Sequence, residues 1–181
     1  MSVDGQPSNH DHYDKSLIVR VLSETKTIAV LGASANPVRP SYFVVKYLLD
    51  KGYEVWPVNP GQAGKPICGA MTYANLADLP ATPDMIDIFR APDAVPGIVD
   101  NILAMDALPR FVWMQLGVRH DESAAKLEAA GVTVIMNRCP KIEYARLSGE
   151  IGWNGVNSRV LSARKPVAGH KVQSLGIRRD R

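Results

Sequence analysis

Short apolar runs alternate along this chain with amphipathic helical stripes, and the first run stops on a glycine. Thr27-Ile28-Ala29-Val30-Leu31 ends at Gly32, Glu54–Val58 ends at Asn59-Pro60-Gly61, and Met85–Phe89, Phe111–Met114 and Val132–Met136 follow. Continuous apolar runs of this length suit strands buried on both faces. Between the first two, Ser41–Lys51 sets Val44, Val45, Leu48 and Leu49 on one helical stripe, with Gly52 as a stop. Pro92–Met105 carries Val95, Ile98, Val99 and Ile102 at helical spacing, Asp121–Ala130 is closed by Gly131, and Pro140 opens a further helix. A leading helix over Tyr13–Glu24 presents Leu17, Ile18, Val21 and Leu22. Pro66-Ile67-Cys68 reads as a short edge strand and Asn75–Asp78 as a helical turn. Strands joined to helices by short connections predict an α/β domain. Its sheet is doubly wound, mostly parallel and of five or six strands, with helices on both faces.

At 181 residues the chain suits one domain with a substantial core. The domain is expected over residues 13–149. Before it, residues 1–12 read as a disordered lead in which His10 and His12 make no convincing metal pair, so no metal site is expected. After it, residues 150–181 read as an extended basic tail. From Arg159 onward that tail carries Arg159, Arg164, Lys165, Lys171, Arg178, Arg179 and Arg181 against the single acid Asp180. Basic residues concentrated in a tail, without interleaved aromatics, read as a solvated segment rather than a nucleic-acid surface. Two cysteines, Cys68 and Cys139, are too few for a disulfide scaffold. The polar N-terminus resembles no secretory signal and no apolar run reaches membrane length, so the expected compartment is the cytoplasm.

In such a fold, ligands sit beyond the carboxyl ends of the strands. The first of these ends, LGASANPVRPSY, joins a buried strand to a helix. A helix start offers unpaired N–H groups and the positive end of a dipole, which suits phosphate. Gly32 permits the tight turn, and Ser34, Asn36 and Ser41 supply side-chain donors. Arg39 supplies a fixed, planar positive charge. Pro40 suits an early helical position. The match to the dinucleotide fingerprint is poor, because Ser34 and Pro37 stand where its second and third glycines would be. Val58-Asn59-Pro60 also lacks the acid that holds the ribose of NAD. Asn59 tolerates a 3′-phosphorylated adenosine, as found in coenzyme A, where an acid would repel it. The run Gly61–Pro66 is too short between its glycines to be a Walker loop.

Four segments in order carry a wider likeness: IAVLGASANPVRPSYFVVKYLLDKGYEVWPVNP, DIFRAPDAVPGIV, WMQLGV and MNRCPKIEYARL. Together, over roughly Thr25–Leu147, they resemble the small stand-alone CoA-binding domain proteins. These are relatives of the CoA-binding domain of the succinyl-CoA synthetase α-subunit and of ADP-forming acyl-CoA synthetases. The resemblance implies a Rossmann-like fold and coenzyme A as the ligand. It implies that Gly32, Ala33, Ser34, Asn36, Arg39, Pro40 and Ser41 face the CoA phosphates, and that Asn59 and Pro60 lie against the adenosine. Phe89 and Arg90 would wall the groove. Gln115, Leu116 and Gly117, with Asn137, Arg138 and Cys139, would line its far side. The family commonly has Asp where this chain has Asn137, which removes a charge from that strand end.

No catalytic set is legible. His120 reads as a loop residue, and Asp84 and Asp87 read as flanking the start of a strand. Trp56, Trp113 and Trp153 read as core or tail anchors. Cys139 stands beside Arg138 and before a helix start, a setting that can favour a thiolate, but a small buried core thiol is the reading preferred for it. The expected function is non-catalytic binding of CoA or acyl-CoA by a carrier, sensor or regulator, with room for a protein partner. The alternative is a nicotinamide-dependent oxidoreductase, or an acyl-CoA-transforming enzyme acting with a partner.

Overall fold

A computed structural model describes residues 9–149. Five strands form one parallel sheet: β1 (Thr27–Leu31), β2 (Glu54–Val58), β5 (Met85–Ile88), β6 (Phe111–Met114) and β7 (Thr133–Ile135), in the order β2-β1-β5-β6-β7. The fold is therefore the expected Rossmann-like α/β sheet. One difference concerns the proposed edge strand. Pro66–Ile67 (β3) pairs antiparallel with Ala70–Met71 (β4) in a separate hairpin, not with the main sheet. Cys68, at φ 52°, belongs to its turn.

The helices are α1 (Lys15–Glu24), α2 (Pro40–Asp50), α3 (Val95–Leu103), α4 (Asp121–Ala129) and α5 (Pro140–Leu147). Two buried clusters divide them between the faces of the sheet. Ile18, Val21 and Leu22 of α1, Val44, Val45 and Leu48 of α2 and Tyr144 and Leu147 of α5 join Ile28, Val30, Met85 and Trp113 of the sheet. Val95, Val99 and Ile102 of α3 and Ala124 and Leu127 of α4 join Ala29, Ile86, Ile88 and Val112. Alternate strand residues thus serve opposite faces, which is why the runs are apolar throughout. α2 ends as its sequence predicts. Gly52, at φ 80°, takes the left-handed position, and the N–H groups of Lys51, Gly52 and Tyr53 return to Tyr47, Leu49 and Leu48.

Two acids on β5 or at its start do different work. Asp84 precedes the strand, and its Oδ2 accepts from the backbone N–H groups of Lys26 and Thr27 at 2.8 and 3.0 Å. It pins the amino end of β5 to that of β1. Asp87 does not flank the strand as expected but lies inside it, fully buried between Val30 of β1 and Trp113 of β6.

The strand order fixes where a crevice opens. From β1 the chain moves outward through α2 to β2, then returns past β1 to β5 and continues through α3 on the opposite face. Connections leaving β1 and β5 diverge to opposite faces, so a gap forms above their carboxyl ends.

Packed residues also precede Tyr13, the expected start of the domain. Asn9–His12 lie within the described residues. His10 is buried, with Nδ1 2.8 Å from the Tyr13 hydroxyl and Nε2 3.6 Å from Glu128, and Asp11 pairs with Arg119. A polar lead finds fixed partners here, which composition alone does not reveal. Residues 1–8 and the expected basic tail, with Trp153, lie outside the described residues.

Candidate functional site

The divergence point is occupied by Gly32, at φ 82°. Its N–H donates to the Val58 carbonyl of β2 at 2.9 Å, and Phe89 N–H donates to the Leu31 carbonyl at 2.8 Å. The first turn is thus stitched to both neighbouring strand ends. A Cβ at residue 32 would lie 2.3 Å from the Phe89 carbonyl oxygen and 3.1 Å from Cδ of Arg90. Only glycine permits that approach and that φ together.

Beyond Gly32 the loop is held by its own short polar residues. Ser34 Oγ accepts from Asn36 N–H at 3.1 Å, Asn36 Oδ1 accepts from Val38 N–H at 3.0 Å, and the Asn36 carbonyl accepts from Arg39 N–H at 3.0 Å. These local turns fix the loop before any ligand arrives. Arg39 takes the N-cap position of α2 and Pro40 its first helical position. Ser41 is buried at the helix start. Asn59 clamps the first turn to the second: its Nδ2 donates to the Ala33 carbonyl at 2.7 Å and its Oδ1 accepts from Gly61 N–H at 2.9 Å. Its side chain is therefore committed to the protein rather than free for a ligand.

A groove of about 820 Å³ opens from this point. Gly32, Asn59, Pro60 and Arg90 line it, with apolar walls that include Leu31, Val58, Leu76 and Ile98. Of the residues singled out from sequence, those four reach this groove. Ser34, Asn36 and Arg39 stand on the exposed loop above the start of α2. The lining from α3 and from Leu76–Leu79 was not foreseen; its sequence signal is faint, because Ile98 reads as an ordinary core position.

Gln115, Gly117, Arg138 and Cys139 gather instead at the ends of β6 and β7. Gly117 N–H donates to Asn137 Oδ1 at 2.8 Å. Asn137 itself sits at φ 52°, a region Asn enters more readily than most residues. Its place in the structure is thus that of a turn former. Arg138 lies 5.5 Å over the Tyr13 ring and donates to the carbonyls of Asn137 and Asp11 at 2.9 and 3.3 Å. His120 caps α4, with Nδ1 accepting from Ser123 N–H at 3.2 Å.

Of the two settings the sequence offers for Cys139, the structure has the packed thiol. It is buried at the start of α5, and burial pushes its thiol above the usual cysteine value, outweighing the N–H groups of Ile142 and Lys141. The charge of Arg138, which the sequence placed beside it, is engaged with Tyr13 and Asp11 instead.

Two guanidinium groups are left differently. Among the described residues neither Arg39 nor Arg90 forms an ion pair, and both are exposed. They flank the Gly32 turn, one at the start of α2 and one after β5.

Residues 26–145 match the CoA binding domain family. The chain belongs to that family. It is 36% identical over 131 residues to the protein YneT of Bacillus subtilis (strain 168), a match spanning 72% of this chain and 94% of YneT. Among solved structures, cell-free ID.343 from Thermus thermophilus is 40% identical with a TM-score of 0.69, covering 74% of this chain and 98% of that one. A hypothetical protein from Pyrococcus horikoshii OT3 is 31% identical with a TM-score of 0.69, covering 80% of this chain and 97% of its own. No helix among the described residues is long and apolar enough to cross a membrane.

Proposed function

We propose that this CoA-binding domain holds coenzyme A or an acyl-CoA at the carboxyl ends of β1, β2 and β5, in the cytoplasm, as a carrier, sensor or regulator serving a protein partner. The observation that carries the reading is the pair of guanidinium groups without ion partners, Arg39 and Arg90, on either side of a preformed turn. A pyrophosphate needs N–H donors and fixed positive charge; at the start of α2 Pro40 has no N–H and those of Arg39 and Tyr42 return to the Asn36 and Arg39 carbonyls, which leaves the Ser41 N–H and these two side chains to meet it. The adjoining groove, apolar with a few polar groups, is of a size that accepts an adenosine. Asn59 leaves no acid at the end of β2, which favours a 3′-phosphorylated adenosine over the free ribose hydroxyls of NAD. Bound there, CoA would supply a thiol or thioester; the residues of the crevice bind and orient it.

Binding to the native state alone raises its melting temperature. CoA at millimolar concentration is expected to raise the melting temperature of the full chain clearly more than equimolar NAD does, with acetyl-CoA close to CoA. Equal or greater stabilisation by NAD overturns the assignment.

A further inference from the structure

Of the four crossovers that join the strands of the sheet, three carry an α-helix, namely α2, α3 and α4. The crossover from β2 to β5 carries the β3–β4 hairpin and one helical turn at Leu76–Asp78 instead. The face of β1 and β2 beside α3 is therefore left without a helix of its own, and the groove opens there. It is bounded by Leu31 and Val58 from the strand ends, by Leu76 and Leu79 from the crossover, and by α3. Leu31, Leu76, Leu79 and Ile98 are each only half-buried against the cluster on this face. Aliphatic surfaces left open along a groove suit a flat apolar ring.

One stripe of α3 runs along this groove. Ala94, Ile98, Asn101 and Met105 line it, and at about 100° per residue they fall within about 60° of one another around the helix axis. Val95, Val99 and Ile102, on the neighbouring stripe, are the residues that α3 buries against the sheet. Asn101 is the polar interruption of the groove-facing stripe. The helix starts at the carboxyl edge of the sheet, soon after Arg90, and Asn101 lies about 10 Å along the axis from Ala94. A ribose and a base reach about that far from a phosphate held at the strand ends.

The other polar side chains of the groove are committed or unsuited to reading a base. Asn59 clamps the two turns together. Asn75 holds Asp78, donating to its Oδ2 from the backbone N–H at 2.9 Å and from Nδ2 at 3.2 Å. Thr82 has a single hydroxyl, and Asp106 has only acceptors. Among the described residues the Asn101 amide forms no hydrogen bond. A primary amide sets an acceptor beside a donor, the pattern that matches the amino group and N7 of adenine. We propose that Asn101 reads the base of the ligand: its Oδ1 accepts from the adenine amino group and its Nδ2 donates to N7, with the ring held against Leu76 and Ile98. This rests on the CoA assignment made above and adds to it the residue that selects adenine among bases. Hypoxanthine carries a carbonyl oxygen where adenine has its amine. Both atoms on that edge are then acceptors, and the amide satisfies only one of them.

The test measures, by isothermal titration, the Kd of the full-length chain for CoA and for the CoA analogue carrying hypoxanthine in place of adenine. The two probes share their phosphates and arm and differ at the base alone. Wild type should bind CoA about tenfold tighter than the analogue. Asn101→Ala should weaken CoA by a similar factor and bring the two probes to within about twofold of each other. Asn101 is exposed and alanine suits a helix interior, so the ligand-free melting temperature of the variant should match or exceed that of wild type. The ratio of the two constants decides, because a merely structural loss would weaken both probes alike and leave it unchanged. Equal affinity of wild type for the two probes, or a ratio that survives in Asn101→Ala, overturns the proposal and leaves the CoA assignment standing. Binding of neither probe by wild type overturns that assignment and the base reading with it.

Discussion

The carboxyl edge of the sheet has two halves built from similar residues and finished differently. At β1 and β5, the cations Arg39 and Arg90 stand without ion pairs beside an open groove. At β6 and β7, Arg119 pairs with Asp11 and Asp121, Arg138 stacks on Tyr13, His120 caps α4 and Asn137 closes the Gly117 turn. The chain before α1 packs over the second half, where Tyr13 accepts from Met136 N–H at 2.7 Å. Polar residues at a strand end therefore carry no functional meaning by themselves; what separates the halves is whether the protein has already satisfied them. An unpaired guanidinium keeps its full interaction for a ligand, whereas breaking a satisfied one first costs the protein its own bonds.

The sharpest way to break the open half is at its hinge. Gly32→Ala places a methyl group 2.3 Å from the Phe89 carbonyl oxygen, at φ 82°. The clash is with the Phe89 backbone, which has little room to yield, so a loss of roughly 3–5 kcal/mol is expected from clash and left-handed strain together. Urea denaturation measures it, and CoA-induced stabilisation should vanish in the same variant. A nearly unchanged midpoint would mean that the first turn is not the tight junction the crevice depends on.

Asp87 lies under both halves, and its effect should follow pH. The folded carboxyl titrates at about 8 against an ordinary 3.8. Between those values the folded chain holds a proton that the unfolded chain has released. The contribution of Asp87 to wild-type stability therefore falls as pH rises from about 4 to 8 and is level above that. Asp87→Asn keeps the shape and removes the titration. It should be more stable than wild type by roughly 2–4 kcal/mol at pH 8, with the two converging towards pH 5. Parallel melting curves at pH 5 and pH 8 decide it, and a constant difference between the two proteins contradicts the assignment.

The contrast explains what could be read from the sequence. The five buried runs and the stops at Gly32 and Gly52 were legible because hydrophobic period and turn chemistry are local. The β3–β4 hairpin was not, since Pro66–Ile67 alone cannot say whether it joins a sheet or pairs with Ala70–Met71. Strand ends could be ranked as candidate sites from topology, but not sorted into open and satisfied. Arg138 and Arg39 look alike in sequence, and what distinguishes them is Tyr13, which lies 125 residues from the former in number yet touches it in space. Cys139 has the same ambiguity: an adjacent Arg and a helix start are visible in sequence, and only its burial decides for the packed thiol over the acidic one. Asp87 leaves a trace, a lone acid inside the apolar run MIDIF, but its charge argues for a place flanking the start of the strand, and only the structure puts it in the buried interior.

A smaller effect sharpens the comparison directly. Arg39→Ala and Arg90→Ala should each weaken CoA by roughly 1–3 kcal/mol, the range for charge-assisted hydrogen bonds. Arg39→Lys should recover only part of the loss, because the planar fork is gone. Thermal stability without ligand should stay within about 0.5 kcal/mol of wild type for both alanine variants, since neither side chain has an ion pair to lose. Isothermal titration and melting on the same preparations separate the two quantities. Unchanged CoA affinity in both alanine variants would move the phosphates elsewhere.

The smallest expected effect belongs to the satisfied half. The Tyr13 hydroxyl accepts from the N–H of buried Met136 and lies 2.8 Å from Nδ1 of buried His10, so it can accept from one and donate to the other. Tyr13→Phe keeps the ring under Arg138 and deletes only these two bonds. Met136 N–H is then left without its partner at the end of β7, at a cost of about 1 kcal/mol. Burial holds the phenol above its ordinary pKa, so it stays neutral from pH 6 to 9 and the cost should be the same throughout, unlike that of Asp87. Hydrogen exchange should show faster opening at Met136, while CoA affinity stays at the wild-type value. A Tyr13→Phe variant that loses CoA as strongly as Arg39→Ala would erase the distinction between the halves, placing the ends of β6 and β7 inside the ligand site despite their internal bonds.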